Sequence, residues 1–98
     1  MPTYLIFARH EITDEAKSRR YSELVVPQIR AFGGEFLTAR GQVQALEGAY
    51  EPMTITVIKF ESKEALMKWY RSPEYAPLLQ MRLESNKGDM FVFDEKPV

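Results

Sequence analysis

The sequence contains no cysteine, one histidine and one tryptophan. The missing thiols exclude disulfide frameworks, thiolate nucleophiles and cysteine-ligated zinc or iron–sulfur centres. A lone imidazole excludes a histidine-rich metal site within one chain. No charge of one sign dominates: thirteen Lys and Arg against fourteen Asp and Glu leave a formal charge of −1. No summed field therefore draws the chain to nucleic acid or to an anionic membrane. Apolar runs fall far short of the ~20 residues that cross a bilayer, and no basic leader followed by an apolar stretch opens the sequence. The expectation is a soluble, cytoplasmic protein with neither a nucleic-acid nor a membrane partner. A glycine-rich phosphate loop, a Ser–His–acid order, metal-ligand spacing and a dinucleotide fingerprint are also missing. Gly33-Gly34 follows a helical pattern and precedes a strand, the wrong context for a phosphate cradle. No residue requires a cofactor, and none is expected.

What is present is an ordinary globular composition, 45% hydrophobic and 28% charged. Ninety-eight residues make one domain, 1–98, that buries about 65% of its unfolded surface. The order of elements reads βαββαβ. Tyr4–Ala8 is a short apolar strand ending at Arg9-His10-Glu11. Thr13 is placed to cap a helix whose first turn carries Asp14 and Glu15. Tyr21, Leu24, Val25, Gln28 and Phe32 form its buried stripe. Pro27 predicts a kink or restart, and Gly33-Gly34 the stop. Glu35–Arg40 is the second strand, continuing through Val43–Leu46 as one long strand bent at Gly41. Glu47–Pro52 connects it to a third strand, Met53–Phe60. Ser62 caps the next helix. Ser72-Pro73 predicts a second helical segment, as N-cap and N1, with Tyr75, Leu78, Leu79 and Arg82 on one stripe. Asn86-Lys87-Gly88 ends it, and Met90–Phe93 is the last strand.

This order predicts a ferredoxin-like α+β fold: a four-stranded antiparallel sheet with its helices on one face and strands one and three central. A sheet covered on one face alternates apolar and polar residues, yet strands one and four are apolar on both. Nothing left in the chain covers the second face. The economical expectation is a homodimer packed sheet against sheet, the alternative being a monomer with an exposed patch. Burying ~600–800 Å² of apolar surface per subunit contributes about 15–20 kcal/mol before association costs.

The segments Gly33-Gly34-Glu35-Phe36-Leu37, Arg40-Gly41 and Leu46-Glu47-Gly48 with Pro52 resemble the middle of the domain-of-unknown-function family 1330. So do Lys59-Phe60-Glu61-Ser62, Ala65, Trp69-Tyr70-Arg71-Ser72-Pro73-Glu74-Tyr75 and Arg82, the Trp-Tyr-x-Ser-Pro-Glu-Tyr string being the most specific part. The resemblance covers nearly the whole chain and implies a dimeric α+β barrel. That architecture also serves cofactor-free monooxygenases, muconolactone-isomerase-like enzymes and stress-responsive proteins. Ala49-Tyr50 in the hairpin and His10 depart from the family pattern.

Six residues are candidates for chemistry. His10, closing the first strand, carries an imidazole, a side chain that suits a general base; the simpler reading is a surface histidine in a loop. Arg82, the odd member of an apolar stripe, suits a bidentate grip on a carboxylate. Its structural alternatives are an ion pair with Glu47 or Glu74, or a head group reaching solvent. Arg40 and Glu47 flank the bend of strand two, as ligand arginine and proton acceptor, or as a pair bracing the hairpin. Trp69 anchors the core, whereas Tyr70 and Tyr75 carry hydroxyls that need partners when buried. The expected function is a small-ligand pocket between sheet and helices for an organic, acidic or aromatic molecule. Arg40, Tyr70, Tyr75 and Arg82 would bind it, with His10 or Glu47 moving a proton if there is catalysis. Two alternatives stand beside it: a non-catalytic dimeric stress-response or interaction module, and a cofactor-free monooxygenase or isomerase, the latter by fold analogy alone.

Overall fold

The structure, a computed structural model, describes residues 1–98. Its elements are β1 (Thr3–Ile12), α1 (Glu15–Ala31), β2 (Glu35–Gln42), β3 (Thr54–Phe60), α2 (Lys63–Tyr70), α3 (Ala76–Ser85) and β4 (Asn86–Asp94). The four strands form one sheet in the order β2-β3-β1-β4, and the pairings among them are antiparallel. The helices lie on one face, the ferredoxin-like α+β arrangement, and β1 and β3 are central. The molecule measures 36 × 32 × 16 Å, a slab two layers thick. Its accessible surface is 6461 Å², against about 5,800 Å² from size scaling. No helix is long and apolar enough to cross a membrane.

The pleat of β1 sorts the sheet into its two faces. Thr3, Leu5, Phe7 and Arg9 point to the helices and are buried. Leu5 stands opposite Ile58 of β3 and Val92 of β4. Phe60, Leu66, Trp69 and Tyr75 complete this core. Trp69 is wholly buried, and its indole Nε1 donates to Gln28 Oε1 at 3.0 Å. On the other face Tyr4 and Ile6 pair with Phe93 and Phe91, and Ile6 and Ala8 pair with Val57 and Ile55. Only the end of this layer at Ala8 is covered by the chain; Phe91 and Phe93 are 49% and 47% exposed.

Several boundaries differ from the sequence expectation. The α1 cap is Asp14, whose Oδ1 accepts from the Lys17 N–H at 3.0 Å. Thr13 instead donates its N–H to Ser85 O at 2.8 Å, tying β1 to the end of α3. Pro27 does not divide α1, which runs through to Ala31. Val25 and Ile29 are buried on either side of it and the next residue, Gln28, is held by Trp69 and by Glu74 O. The buried stripe is Ser18, Tyr21, Val25 and Ile29, turned from the expected one so that Leu24 and Phe32 are only partly covered. The turn after α2 is closed by Ser72 Oγ, which accepts from the Tyr75 N–H, and α3 starts later than expected, at Ala76. Asn86-Lys87-Gly88 belongs to β4, which follows α3 without a loop.

The second strand is shorter than expected. It ends at Gln42 because β3, its partner, begins at Thr54, so Val43–Leu46 has no ladder to join. Its register shifts twice between Phe36 and Gly41, and the residue in the left-handed conformation is Arg40, at φ 57°, not the neighbouring glycine.

Gly88 is a close-approach position: a Cβ there would meet the Ala8 carbonyl oxygen and lie 2.9 Å from Phe7 Cε1. Backbone cannot yield as a flexible side chain does. Gly88→Ala is expected to cost ~1–3 kcal/mol, read as a lowered urea midpoint at unchanged slope.

Candidate functional site

Between the sheet and α1 lies a cavity of about 70 Å³. Its walls are chiefly apolar, with Leu5, Val25, Ile29, Phe36 and Ile58 among them, and two arginines, Arg9 and Arg40, enter it. Arg9 is there because it continues the inward parity of Leu5 and Phe7. Its residue is 6% exposed, as is Arg82 from α3, and both guanidinium carbons stand over the Phe7 ring, at 5.6 and 5.3 Å from its centroid. Neither arginine has a carboxylate partner; the ion pairs of the molecule involve His10, Lys17, Arg20 and Lys87. Arg9 Nε is buried with no hydrogen-bond partner. Burial, and then the nearby charge of Arg40, push Arg9 below the ordinary guanidinium pKa.

Two buried hydroxyls join this cluster. Arg82 Nε donates to Tyr75 Oη at 3.4 Å, and Tyr75 and Tyr21 share a hydrogen bond of 3.1 Å between their hydroxyls. Tyr21 also lines the cavity. Burial pushes its phenol well above the usual value, a shift that Arg82 and Arg9 oppose. The backbone N–H of Arg40 donates to Thr56 Oγ1 at 3.2 Å, holding the left-handed residue against β3.

The six residues singled out from sequence are therefore dispersed. Arg82 and Tyr75 are buried together, Arg82 paired with neither Glu47 nor Glu74. Arg40 lines the cavity, at the bend, without forming an ion pair with Glu47. Tyr70 lines a different, wholly apolar groove of about 220 Å³ between α2 and β4, its ring 5.7 Å from that of Tyr75. Glu47 is exposed in the β2–β3 connection. His10 lies on the opposite face of the sheet from the cavity. There its Nε2 donates to Asp89 Oδ2 at 3.0 Å, and the Tyr50 hydroxyl donates to the same oxygen at 3.2 Å. Arg9 and Tyr21 escaped the sequence reading. The signal for Arg9 was its place in the alternation of β1; Tyr21 was read only as core.

No group of three His, Cys, Asp or Glu side chains comes together to hold a metal ion. The cavity's polar groups are cationic or hydroxylic, a set that favours an anion. A broader depression of about 600 Å³ over Ala31, Phe32, Glu61 and Lys68 is open surface without a buried charge.

Fold and site together define a ferredoxin-like α+β protein with an arginine-bearing internal cavity. The chain belongs to the DUF1330 family, a domain of unknown function, whose model matches residues 2–95. No curated protein matches it significantly. Among solved structures it is similar to the RPA0582 protein of unknown function from Rhodopseudomonas palustris, at 18% identity and TM-score 0.71, covering 99% of this chain and 82% of that one. It is also similar to a dimeric ferredoxin-like protein of unknown function from Jannaschia sp. CCS1, at 19% identity and TM-score 0.62, over 99% and 100% of the two chains. A third likeness is to SnoaB, a cofactor-independent oxygenase from Streptomyces nogalater, at 9% identity and TM-score 0.54, over 99% and 93%. At these identities the likeness is one of fold.

The hydrogen bonds from His10 and Tyr50 lower the Asp89 pKa. A depressed carboxylate contributes stability above its unfolded pKa that is lost as pH falls through the folded one. Asp89→Asn is thus expected to reduce the acid-side loss of stability between about pH 5 and pH 3. Urea midpoints of both proteins across that range check it; the effect is small because the group is exposed.

Proposed function

We propose that this protein binds a small organic acid in the cavity between sheet and helices, Arg9 and Arg40 meeting its carboxylate and the apolar walls its body. Arg82 and Tyr75 support the site from behind. The observation that carries this reading is the pair of buried guanidiniums without a carboxylate, Arg9 and Arg82, of which Arg9 lines the cavity with an unpartnered Nε. Taking a charge out of water costs several kcal/mol unless it is paired, which favours an anion as occupant of the cavity that Arg9 enters.

Replacing Arg9 separates this role from a structural one. If the guanidinium serves a ligand, Arg9→Met removes an unpaired buried charge and raises the stability of the free protein by ~1–2 kcal/mol. In the wild type, the best of a panel running from isobutyrate to benzoate and salicylate, at one hundred times its dissociation constant, adds about 2.7 kcal/mol. Arg9→Met abolishes that gain. Destabilisation by Arg9→Met, with no carboxylate shifting the wild-type melting temperature, would overturn the assignment.

The protein functions, we further propose, as a homodimer. The support is the uncovered apolar face of Tyr4, Ile6, Val57, Phe91 and Phe93, whose area is rare on monomers, and the likeness to a dimeric ferredoxin-like protein. Sedimentation at micromolar concentration should return twice the chain mass. Phe91→Asp, on the exposed β4 edge of that face, should return the single-chain mass with the far-ultraviolet dichroism retained.

A further inference from the structure

The hydrogen-bond polarity around the cavity defines its ligand more narrowly. A guanidinium donates only, so in the 3.4 Å contact of Arg82 Nε with Tyr75 Oη the tyrosine oxygen is the acceptor. Tyr75 has one proton, and the remaining partner of its hydroxyl is Tyr21 Oη at 3.1 Å. That contact admits either hydroxyl as donor; with Tyr75 donating, the Tyr21 proton is left unspent on a residue that lines the cavity. The same logic applies across the cavity. Thr56 Oγ1 accepts the Arg40 N–H, so its own proton is free, and Arg9 and Arg40 have nothing but donors to offer. No side chain lining the cavity is an obligate acceptor: guanidiniums only donate, and the hydroxyls of Tyr21, Ser22 and Thr56 can do so.

We infer that Tyr21 is a specificity-determining residue: its hydroxyl, oriented by the Arg82–Tyr75 relay, donates to a carboxylate oxygen alongside Arg9, so that the site accepts carboxylates and rejects the isosteric carboxamides. This rests on the carboxylate-binding reading above and deepens it. A carboxamide replaces one anionic acceptor oxygen by a neutral NH₂ that a guanidinium cannot pair, which strands buried polar groups on both sides. Tyr21 touches the ligand; Tyr75 and Arg82 are positioning residues that act through it.

The test is a ratio of affinities. Titration calorimetry of the wild-type protein with isobutyrate against isobutyramide, and benzoate against benzamide, should show the carboxylate favoured by at least about 100-fold in whichever pair binds. Tyr21→Phe should weaken the carboxylate by about 10- to 100-fold. Tyr75→Phe keeps the Tyr21 hydroxyl but frees its orientation, so the carboxylate-to-amide ratio should fall while the amide binds no worse. A structural role for Tyr75 would weaken both ligands alike and leave the ratio unchanged. The wild-type ratio needs no variant and decides the case should either fail to fold. Equal binding of acid and amide, or an undiminished ratio in both variants, would overturn the inference while leaving the cavity a ligand site. Failure of every carboxylate to bind overturns the ligand reading itself, and this with it.

Discussion

Strand β1 is hydrogen-bonded along both edges, and its two-residue pleat decides what each side of the molecule is. One parity, Thr3, Leu5, Phe7 and Arg9, sends its side chains beneath the helices. The other, Tyr4, Ile6, Ala8 and His10, faces away. A one-residue slip would exchange the two sets and place a histidine where an arginine now enters the cavity. The ladder to β3 holds unbroken from Thr3 to Arg9, and the irregularity opposite β4 is confined to the stretch between Arg9 and Glu11. The core, the cavity and the uncovered face all depend on that register.

Within this frame the two buried arginines pull against the fold. Their burial opposes stability, and Phe7 between them offers only the modest attraction of an aromatic face for a cation. The rest of the core compensates with large, closely packed rings: Trp69 stacks on Phe60 at 6.1 Å and tilts against Tyr75 at 4.3 Å. Tyr75 is the hinge between these requirements, its ring in the apolar core and its hydroxyl in the arginine cluster. Left-handed backbone at Arg40 adds local strain at the same mouth, held by the Thr56 hydroxyl. Strain, unpaired charge and cavity coincide at one end of the sheet.

The relatives share this frame at identities below 20%, which is the behaviour of a fold that hosts unrelated chemistries. An oxygenase with the same topology says little about this chain, because function resides in the inward side chains rather than in the strand order. His10, the residue with the most familiar acid–base chemistry, stands with Asp89 and Tyr50 on the wrong face for the cavity. The polar side chains that do line it are chiefly arginines and hydroxyls.

The sequence by itself determined the element order, the ferredoxin-like architecture and the apolar second face of the sheet, because periodicities of two and of 3.6 are local properties. Leu5 and Phe7, Phe91 and Phe93, and the Ser62 cap were legible for that reason. Part of the candidate cluster was legible too: Arg82 stood out as a charge on an apolar stripe, Arg40 beside a bend and Tyr75 as a hydroxyl in need of a partner. Tertiary structure alone decided the rest. Arg9 looked like the polar end of a strand until two neighbouring strands extended β1 past it. Tyr21 looked like core until Tyr75 and Arg82, more than fifty residues away, came together beside its hydroxyl. Pro27 promised a break that packing against Trp69 and Glu74 overrode, and β2 stopped where its partner began. In each case the deciding contact joins residues distant in sequence, and no local pattern encodes where a chain will meet itself.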